Sequence, residues 1–210
     1  MLNEIQTRYT DESKNSCNNL SCGSNLDFLS VAAGEKILDL GCGRGKETIQ
    51  AAIESGPDGS ATGLDITPAM IKAARINTES AGVSNASYVY GDIENLPFKD
   101  ASFDAVMSNC VINHARNKEN VYHEIFRVLK YGGRFIISDA VTRLPLPDSV
   151  KNDPEAWAQC FGGAVTEEEY LSGIHAAGFY HIDILNRREY LKNGYDFISL
   201  TLRAVKEVTK

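Results

Sequence analysis

The chain has 210 residues, of which 43% are hydrophobic and 23% are charged, enough for one domain with a modest appendage. Its net charge of −7 argues against a protein that holds nucleic acid or acidic lipid by long-range attraction. No apolar run approaches the roughly 20 residues of a membrane helix, and residues 1–16 are too polar for a secretory signal. We therefore expect a cytoplasmic protein that handles a small molecule, without nucleic-acid or membrane partners.

The predicted elements alternate along the chain. Residues 1–27 are polar and lack a sustained period, so we expect a flexible N-terminal arm or lid, with order beginning near Phe28 in a domain of residues 28–210. Strands alternating with helices indicate a mostly parallel sheet covered on both faces. The predicted strands are the short apolar runs at 36–40, 61–65, 87–91, 103–108 and 134–139.

Helix boundaries are marked by capping residues. Thr67-Pro68 opens a helix that Gly82 closes, and Asn117 opens one that Gly132-Gly133 should end. Thr166 and Glu169 form a capping box for a helix that Gly178 terminates, and 181–188 and 196–204 predict an antiparallel edge. Residues 140–165 interrupt this order with three prolines, and we expect a substrate-facing insertion.

The most informative motif joins a buried strand to a glycine-rich turn, in the sequence ILDLGCGRG of residues 37–45. Glycines at such a turn let a ligand lie against the backbone. A P-loop has four residues between its glycines and then Lys-Ser/Thr, whereas three residues separate Gly41 from Gly45 and Glu47 follows Lys46. A dinucleotide fingerprint needs a third glycine where Lys46 stands. Both phosphate-binding interpretations are therefore disfavoured.

Acidic residues follow three successive predicted strands. Asp39 precedes the glycine turn, where a carboxylate repels pyrophosphate and attracts an ammonium or sulfonium group. Asp65 can accept two ribose hydroxyls, and Asp92 with Ile93 can bracket an adenine ring. One aspartate at a strand end is more often an ordinary turn residue. Three in register with a glycine turn favour S-adenosylmethionine as the ligand.

The segments LDLGCGRG, GLDITPAM, GDIENLPF, FDAVMSNC and LKYGGRFIISD occur in this order over residues 35–140. This series resembles the motifs of class I S-adenosylmethionine-dependent methyltransferases. The resemblance implies an α/β, Rossmann-like fold with a seven-stranded, mostly parallel sheet, an antiparallel last strand and helices on both faces. Cys42 and Arg44 fill positions that vary in the family and receive no role. The expected cofactor-binding residues are Asp39, Gly41, Gly43, Asp65, Ile66, Asp92, Ile93 and Asn109.

The remaining cysteines bear on the substrate. An isolated buried cysteine is usually a small core residue, but SNCVIN around Cys110 and NDPEAWAQCFGGAVTEEEY around Cys160 resemble the arsenite methyltransferase family, as do Ser16-Cys17 and Cys22-Gly23. The resemblance implies that Cys22, Cys110 and Cys160 hold trivalent arsenic as thiolates, which a soft, thiophilic centre prefers. It also implies arsenite or its thiol conjugates as substrate and a reductant such as thioredoxin or a small thiol. Cys17 is a candidate redox partner for Cys22.

Three alternatives remain open at this point. Cys17 and Cys22 could bind zinc, although no second pair of Cys or His completes a four-ligand set. His114 could act as general base for an organic acceptor such as a quinone precursor or phenol, although a solvated loop histidine is the more frequent role. A module that binds arsenite or the cofactor without turnover is the third alternative.

Overall fold

The computed structural model describes residues 2–13 and 25–207. The strands of this part of the chain are β1 (Lys36–Leu40), β2 (Ser60–Asp65), β3 (Ala86–Tyr90), β4 (Phe103–Asn109), β5 (Leu129–Thr142), β6 (Ile182–Lys192) and β7 (Tyr195–Val205). They form one seven-stranded sheet in the order β3-β2-β1-β4-β5-β7-β6. β1 to β5 pair in parallel, whereas β7 is antiparallel to both β5 and β6. The predicted fold class is therefore confirmed.

Helices cover both faces of the sheet. The α-helices of the described residues are α1 (Leu2–Glu12), α2 (Leu26–Leu29), α3 (Lys46–Ser55), α4 (Pro68–Ser80), α5 (Lys118–Val128), α6 (Asp148–Lys151), α7 (Pro154–Ala158) and α8 (Glu167–Ala176), and a 3-10 turn spans Ile112–His114. None of these helices combines the length and apolar content of a membrane span.

The core follows from the alternation of side chains along the strands. In β1, Leu38 and Leu40 pack with residues of α5 and α8 on one face of the sheet. Ile37 packs with residues of α2 and α3 on the opposite face. β1 thus contributes apolar residues to both layers, as its short apolar run predicted.

The predicted helix signals are confirmed at most boundaries. Thr67 is the N-cap of α4, the Asn117 side chain accepts from the Asn120 amide at the start of α5, and Thr166 and Glu169 form the capping box of α8. The predicted end of α5 at Gly132-Gly133 is wrong, because the helix ends at Val128 and β5 begins at Leu129. Backbone hydrogen bonds of the two glycines with Lys206 draw this segment into the sheet.

Before Phe28, where the sequence predicted a flexible arm, the described residues contain helix. Residues 2–12 form α1, and α2 begins at Leu26. Ile5 is the buried residue of α1, and the helix packs against α4 and α7. Within 140–165, β5 continues to Thr142 and the short helices α6 and α7 follow. Cys17 and Cys22 lie outside the described residues.

Candidate active site

A cavity of about 450 Å³ opens at the carboxyl ends of β1, β2 and β4. The strand order reverses between β1 and β4, which is the place where open α/β sheets bind ligands. All eight residues predicted to bind the cofactor line this cavity, and Cys110 and His114 line it too. The structure therefore brings together side chains that the sequence separates by more than 70 residues.

The glycine turn forms one wall of the cavity. Gly41 has a positive φ of 68°, and a Cβ built on it would overlap the Val111 side chain. The Gly41 amide donates to the Leu64 carbonyl at 2.7 Å. Any other residue at this position would push apart the turn after β1 and the segment after β4.

Asp39 is the most enclosed acid of the cavity, with 3% of its surface exposed. The Thr48 hydroxyl donates to its Oδ2 at 2.6 Å. Removal from water raises the pKa of this carboxyl to about 7, because the Thr48 hydrogen bond offsets only part of the desolvation. A cationic ligand beside Asp39 would restore its ionised form.

Asp65 joins the glycine turn to the start of α4. Its Oδ2 accepts from the Gly43 amide at 2.9 Å and its Oδ1 from the Thr67 amide at 2.8 Å. Burial raises the pKa of this carboxyl, and the two backbone hydrogen bonds oppose the shift. The Asp65 carboxylate therefore holds the glycine turn and the start of α4 together. The sequence predicted that the same carboxylate binds the ribose of the cofactor.

The other predicted residues complete the rim. Asp92 is exposed and its Oδ1 accepts from the Glu94 amide at 2.9 Å, whereas Ile93 is buried. The Ile66 carbonyl accepts from Gln6 Nε2 of α1 at 2.9 Å. Asn109 Nδ2 donates to Glu47 Oε2 at 3.4 Å.

Sequence reasoning missed Glu47 and the residues of α1 that line the cavity. Burial raises the pKa of Glu47, a residue that the sequence used only to exclude a P-loop. Leu2, Ile5 and Tyr9 also line the cavity. Their spacing of i, i+3 and i+7 is typical of one face of an amphipathic helix. The helix has only 11 residues and most of them are polar, so the sequence showed no sustained hydrophobic period there.

Cys160 lies beside the cavity in a triangle of polar atoms with Tyr9 and His114. Its Sγ is 2.9 Å from His114 Nε2 and 3.0 Å from the Tyr9 hydroxyl, and the hydroxyl is 3.0 Å from His114 Nε2. Burial lowers the pKa of His114 to about 4, so the imidazole is neutral near pH 7. Burial raises the pKa of the Cys160 thiol. A proton acceptor and a thiol thus stand within hydrogen-bond distance.

The two described candidate arsenic ligands share an unusual backbone conformation. Cys110 has a φ of 56° and Cys160 a φ of 63°, the left-handed region that residues other than glycine rarely adopt. Such conformations persist only where the surrounding structure imposes them, and they concentrate at functional sites. Cys110 is disulfide-bonded, whereas Cys42 and Cys160 are free thiols. Among the described residues, no three Cys, His, Asp or Glu side chains converge as a metal site.

Comparison with known proteins defines the class. The family described as "Methyltransferase domain" matches residues 32–178. The chain therefore belongs to the methyltransferases, with the class I fold and a carboxylate-lined cavity at the strand ends.

Closer relatives define the particular family. An arsenite methyltransferase of Halobacterium salinarum is 41% identical over 170 residues, which are 81% of this chain and 44% of that protein. The human arsenite methyltransferase is 36% identical over 152 residues, 68% of this chain and 40% of that protein. The crystal structure of an arsenic(III) S-adenosylmethionine methyltransferase from Chlamydomonas reinhardtii superposes with a TM-score of 0.78 at 30% identity, covering 97% of this chain and 74% of that one. The chain belongs to the arsenite methyltransferase family, and it spans less than half the length of these curated relatives.

Proposed function

We propose that this protein transfers a methyl group from S-adenosylmethionine to thiolate-bound trivalent arsenic. The observation that carries the proposal is the placement of Cys110 in the wall of the same cavity as the glycine turn and Asp39. A substrate bound through Cys110 would lie next to a ligand in the carboxylate-lined cavity. The family membership supports the same assignment.

The residues of the cavity fit the cofactor. Five carboxylates line it, from Asp39, Glu47, Asp65, Asp92 and Glu94, and such a set favours a ligand that carries ammonium and sulfonium charges. The glycine turn leaves its backbone open to a ligand, and Ile66 and Ile93 offer apolar surface to a purine ring. A volume near 450 Å³ lies in the range of small-molecule sites. When bound, S-adenosylmethionine supplies an electrophilic methyl group.

The substrate side of the proposal rests on thiol chemistry. Cys110 and Cys160, with Cys22 as third ligand, would hold arsenic and leave its lone pair on the open face. Each As–S bond that replaces an As–OH bond releases one water, which takes the thiol proton. His114 Nε2 stands 2.9 Å from Cys160 Sγ and can pass that proton to the leaving hydroxide. Catalysis then comes chiefly from orientation, since the fixed arsenic no longer has to find the methyl by diffusion.

A thiol reductant and a cytoplasmic location belong to the same proposal. Arsenic binding requires reduced cysteines, and Cys110 is disulfide-bonded, so a reductant such as thioredoxin or a small thiol must precede substrate. The cytoplasm is the compartment that keeps thiols reduced. Arsenite itself or its thiol conjugates would be the substrate.

The test is mass spectrometry of arsenic species after incubation with methyl-labelled S-adenosylmethionine, arsenite and a thiol. We expect methylated arsenic from the unaltered protein and none from Cys110→Ser or Cys160→Ser, with cofactor affinity intact in both. Cys42→Ser is the matched control, because Cys42 is a free thiol of the cavity wall with no proposed arsenic role. Full activity of both serine variants would overturn the arsenic assignment.

An organic acceptor with His114 as general base is the less favoured alternative. His114 Nε2 is hydrogen-bonded to Tyr9 and Cys160, so its proton-accepting atom is engaged with the thiol. Methylation of a phenol or quinone precursor that survives Cys110→Ser would support the alternative. Formation of methylated arsenic in a single turnover would exclude a module that only binds.

A further inference from the structure

The two candidate arsenic cysteines lie on separate turns that meet in one small contact. The first turn runs from Cys110 through the 3-10 turn Ile112–His114. The second runs from the end of α7 to Gly163 and carries Cys160. No secondary-structure element contains both cysteines, so their separation depends on how these turns are held against each other.

The first turn is anchored to the end of β5. The Cys110 amide donates to the Ser138 carbonyl at 2.8 Å. The Asn113 side chain, which is fully buried, donates through Nδ2 to Asp139 Oδ1 at 2.8 Å and to the Ala140 carbonyl at 2.7 Å. Asp139 is itself 2% exposed. Buried hydrogen bonds of this kind are costly to break, because the freed groups find no water.

The second turn packs on the first through Gly163. A Cβ on Gly163 would overlap the Asn113 carbonyl oxygen and lie 2.8 Å from Cζ3 of Trp157. The Phe161 and Gly162 amides both donate to the Ala156 carbonyl, which closes the turn around Trp157. Only a residue without a side chain lets the two turns approach this closely.

We propose that Asp139, Asn113 and Gly163 are the positioning residues of the arsenic site, and that they set the separation of Cys110 and Cys160 so that one arsenic bridges both. The inference rests on the proposed function. The three residues act through the cysteines, and none of them touches the arsenic. Two thiolates must meet one atom with defined bond directions, so a displacement of a few tenths of an ångström in one turn reduces binding sharply.

The experiment uses phenylarsine oxide under reducing conditions, in a protein with Cys17→Ser and Cys22→Ser. Phenylarsine oxide has one fixed As–C bond and exchanges its oxygen for two thiolates, with the oxygen and both thiol protons leaving as water, so it reports on the Cys110–Cys160 pair. We expect Gly163→Ala to weaken its binding about tenfold or more and to lower the number of sulfur neighbours in arsenic X-ray absorption. The affinity for S-adenosylhomocysteine should stay within about twofold of the background protein, which a general folding defect would not allow.

Gly133→Ala is the matched control. A Cβ on Gly133 would lie 2.8 and 2.9 Å from the Lys130 and Asp104 carbonyl oxygens. This substitution therefore strains a backbone contact inside the sheet, and not the contact between the two turns. It should leave phenylarsine oxide binding unchanged. Equal loss in Gly133→Ala and Gly163→Ala, or no loss in Gly163→Ala, would overturn the positioning role. A background protein that takes up no phenylarsine oxide would instead overturn the arsenic site itself.

Substitutions at Asp139 test the same role without adding atoms. Asp139→Ala removes the acceptor for Asn113 and should weaken phenylarsine oxide binding. Asp139→Asn keeps a side-chain oxygen at this place and should restore most of the affinity. If Asp139→Asn binds as weakly as Asp139→Ala, the hydrogen bond to Asn113 does not position the turn and the assignment of Asp139 is wrong.

Discussion

At the scale of single residues, Asp39 is a cavity residue that lowers the stability of the unliganded protein. Its carboxyl is removed from water and has one side-chain donor, the Thr48 hydroxyl. A buried carboxylate is costly, even with hydrogen bonds from Thr48, unless a positive charge lies beside it. The position therefore makes sense for binding a cation, and it weakens the protein when no ligand is present.

We predict that Asp39→Asn stabilises the unliganded protein at neutral and higher pH. The pKa near 7 of the folded state lies above the unfolded value near 3.8, so the folded protein keeps a proton that the unfolded chain releases. Stability of the unaltered protein therefore falls as pH rises from about 4 to 7, and the asparagine variant lacks this loss. Thermal denaturation at pH 5 and pH 8 measures the difference.

The same variant should bind S-adenosylmethionine about tenfold more weakly at pH 8, since a charged contact contributes about 1.5–3 kcal/mol. Asp58→Asn, at an exposed turn before β2, is the control. It should change neither the melting temperature nor the affinity for S-adenosylmethionine. A melting-temperature gap between Asp39→Asn and the unaltered protein that is the same at pH 5 and pH 8 would contradict the pKa assignment.

At the scale of elements, α1 links both halves of the site. Gln6 donates to the Ile66 carbonyl on the proposed cofactor side, and Tyr9 contacts Cys160 and His114 on the proposed arsenic side. Arg8 donates to the Ala158 carbonyl at the end of α7. Helix α1 therefore covers the cavity, and its Tyr9 also shields the Cys160 thiol.

We predict that removing residues 1–12 makes Cys160 react faster with iodoacetamide, by about tenfold or more, because access governs thiol modification alongside ionisation. Peptide mass spectrometry measures the rate for each cysteine. The melting temperature of the truncated protein is the control for folding. An unchanged rate at Cys160 would show that α1 does not shield the thiol.

The capping box of α8 carries a separate prediction. Thr166 accepts from the Glu169 amide, and the Glu169 side chain accepts from the Thr166 amide. Thr166→Ala should lower the free energy of unfolding by about 1 kcal/mol, measured by urea denaturation. Affinity for S-adenosylhomocysteine should not change, because α8 does not line the cavity. A loss of affinity that exceeds the loss of stability would contradict this separation.

At the scale of the whole molecule, the cavity gathers segments from distant parts of the chain. Residues of α1, the turn after β1, the start of α4, the segment after β3, the turn after β4 and α7 all line it. A ligand that contacts these segments at once binds only the folded arrangement. Binding and global stability are therefore coupled.

We predict that S-adenosylhomocysteine at about 100 times its dissociation constant stabilises the protein by about 2.7 kcal/mol. For a chain of this size, that corresponds to a rise of about 5–10 °C in melting temperature. Differential scanning fluorimetry over a ligand titration measures the rise, with adenosine as a weaker-binding control. The same shift with adenosine would show that the carboxylate-lined part of the cavity does not contribute.

The sequence alone determined the features that depend on neighbouring residues. The apolar run at 36–40 predicted β1 with its observed bounds, and Asn117 and Thr166 marked the starts of α5 and α8. The glycine turn and the acids after three strands predicted one ligand edge, because parallel strands bring their carboxyl ends together. These signals are local, so no knowledge of the distant chain was needed.

Tertiary structure decided what depends on contacts between distant segments. Pairing of Leu129 with Phe103 of β4, and of the two glycines with Lys206 just after β7, turned a predicted helix end into strand. Docking on α4 and α7 placed α1 over the cavity, although its own sequence is mostly polar. The close approach of Gly163 to the Asn113 carbonyl brought the turn that carries Cys160 against the turn that carries Cys110. Such contacts join residues about 50 or more positions apart, and their energy exists only when the whole sheet has formed.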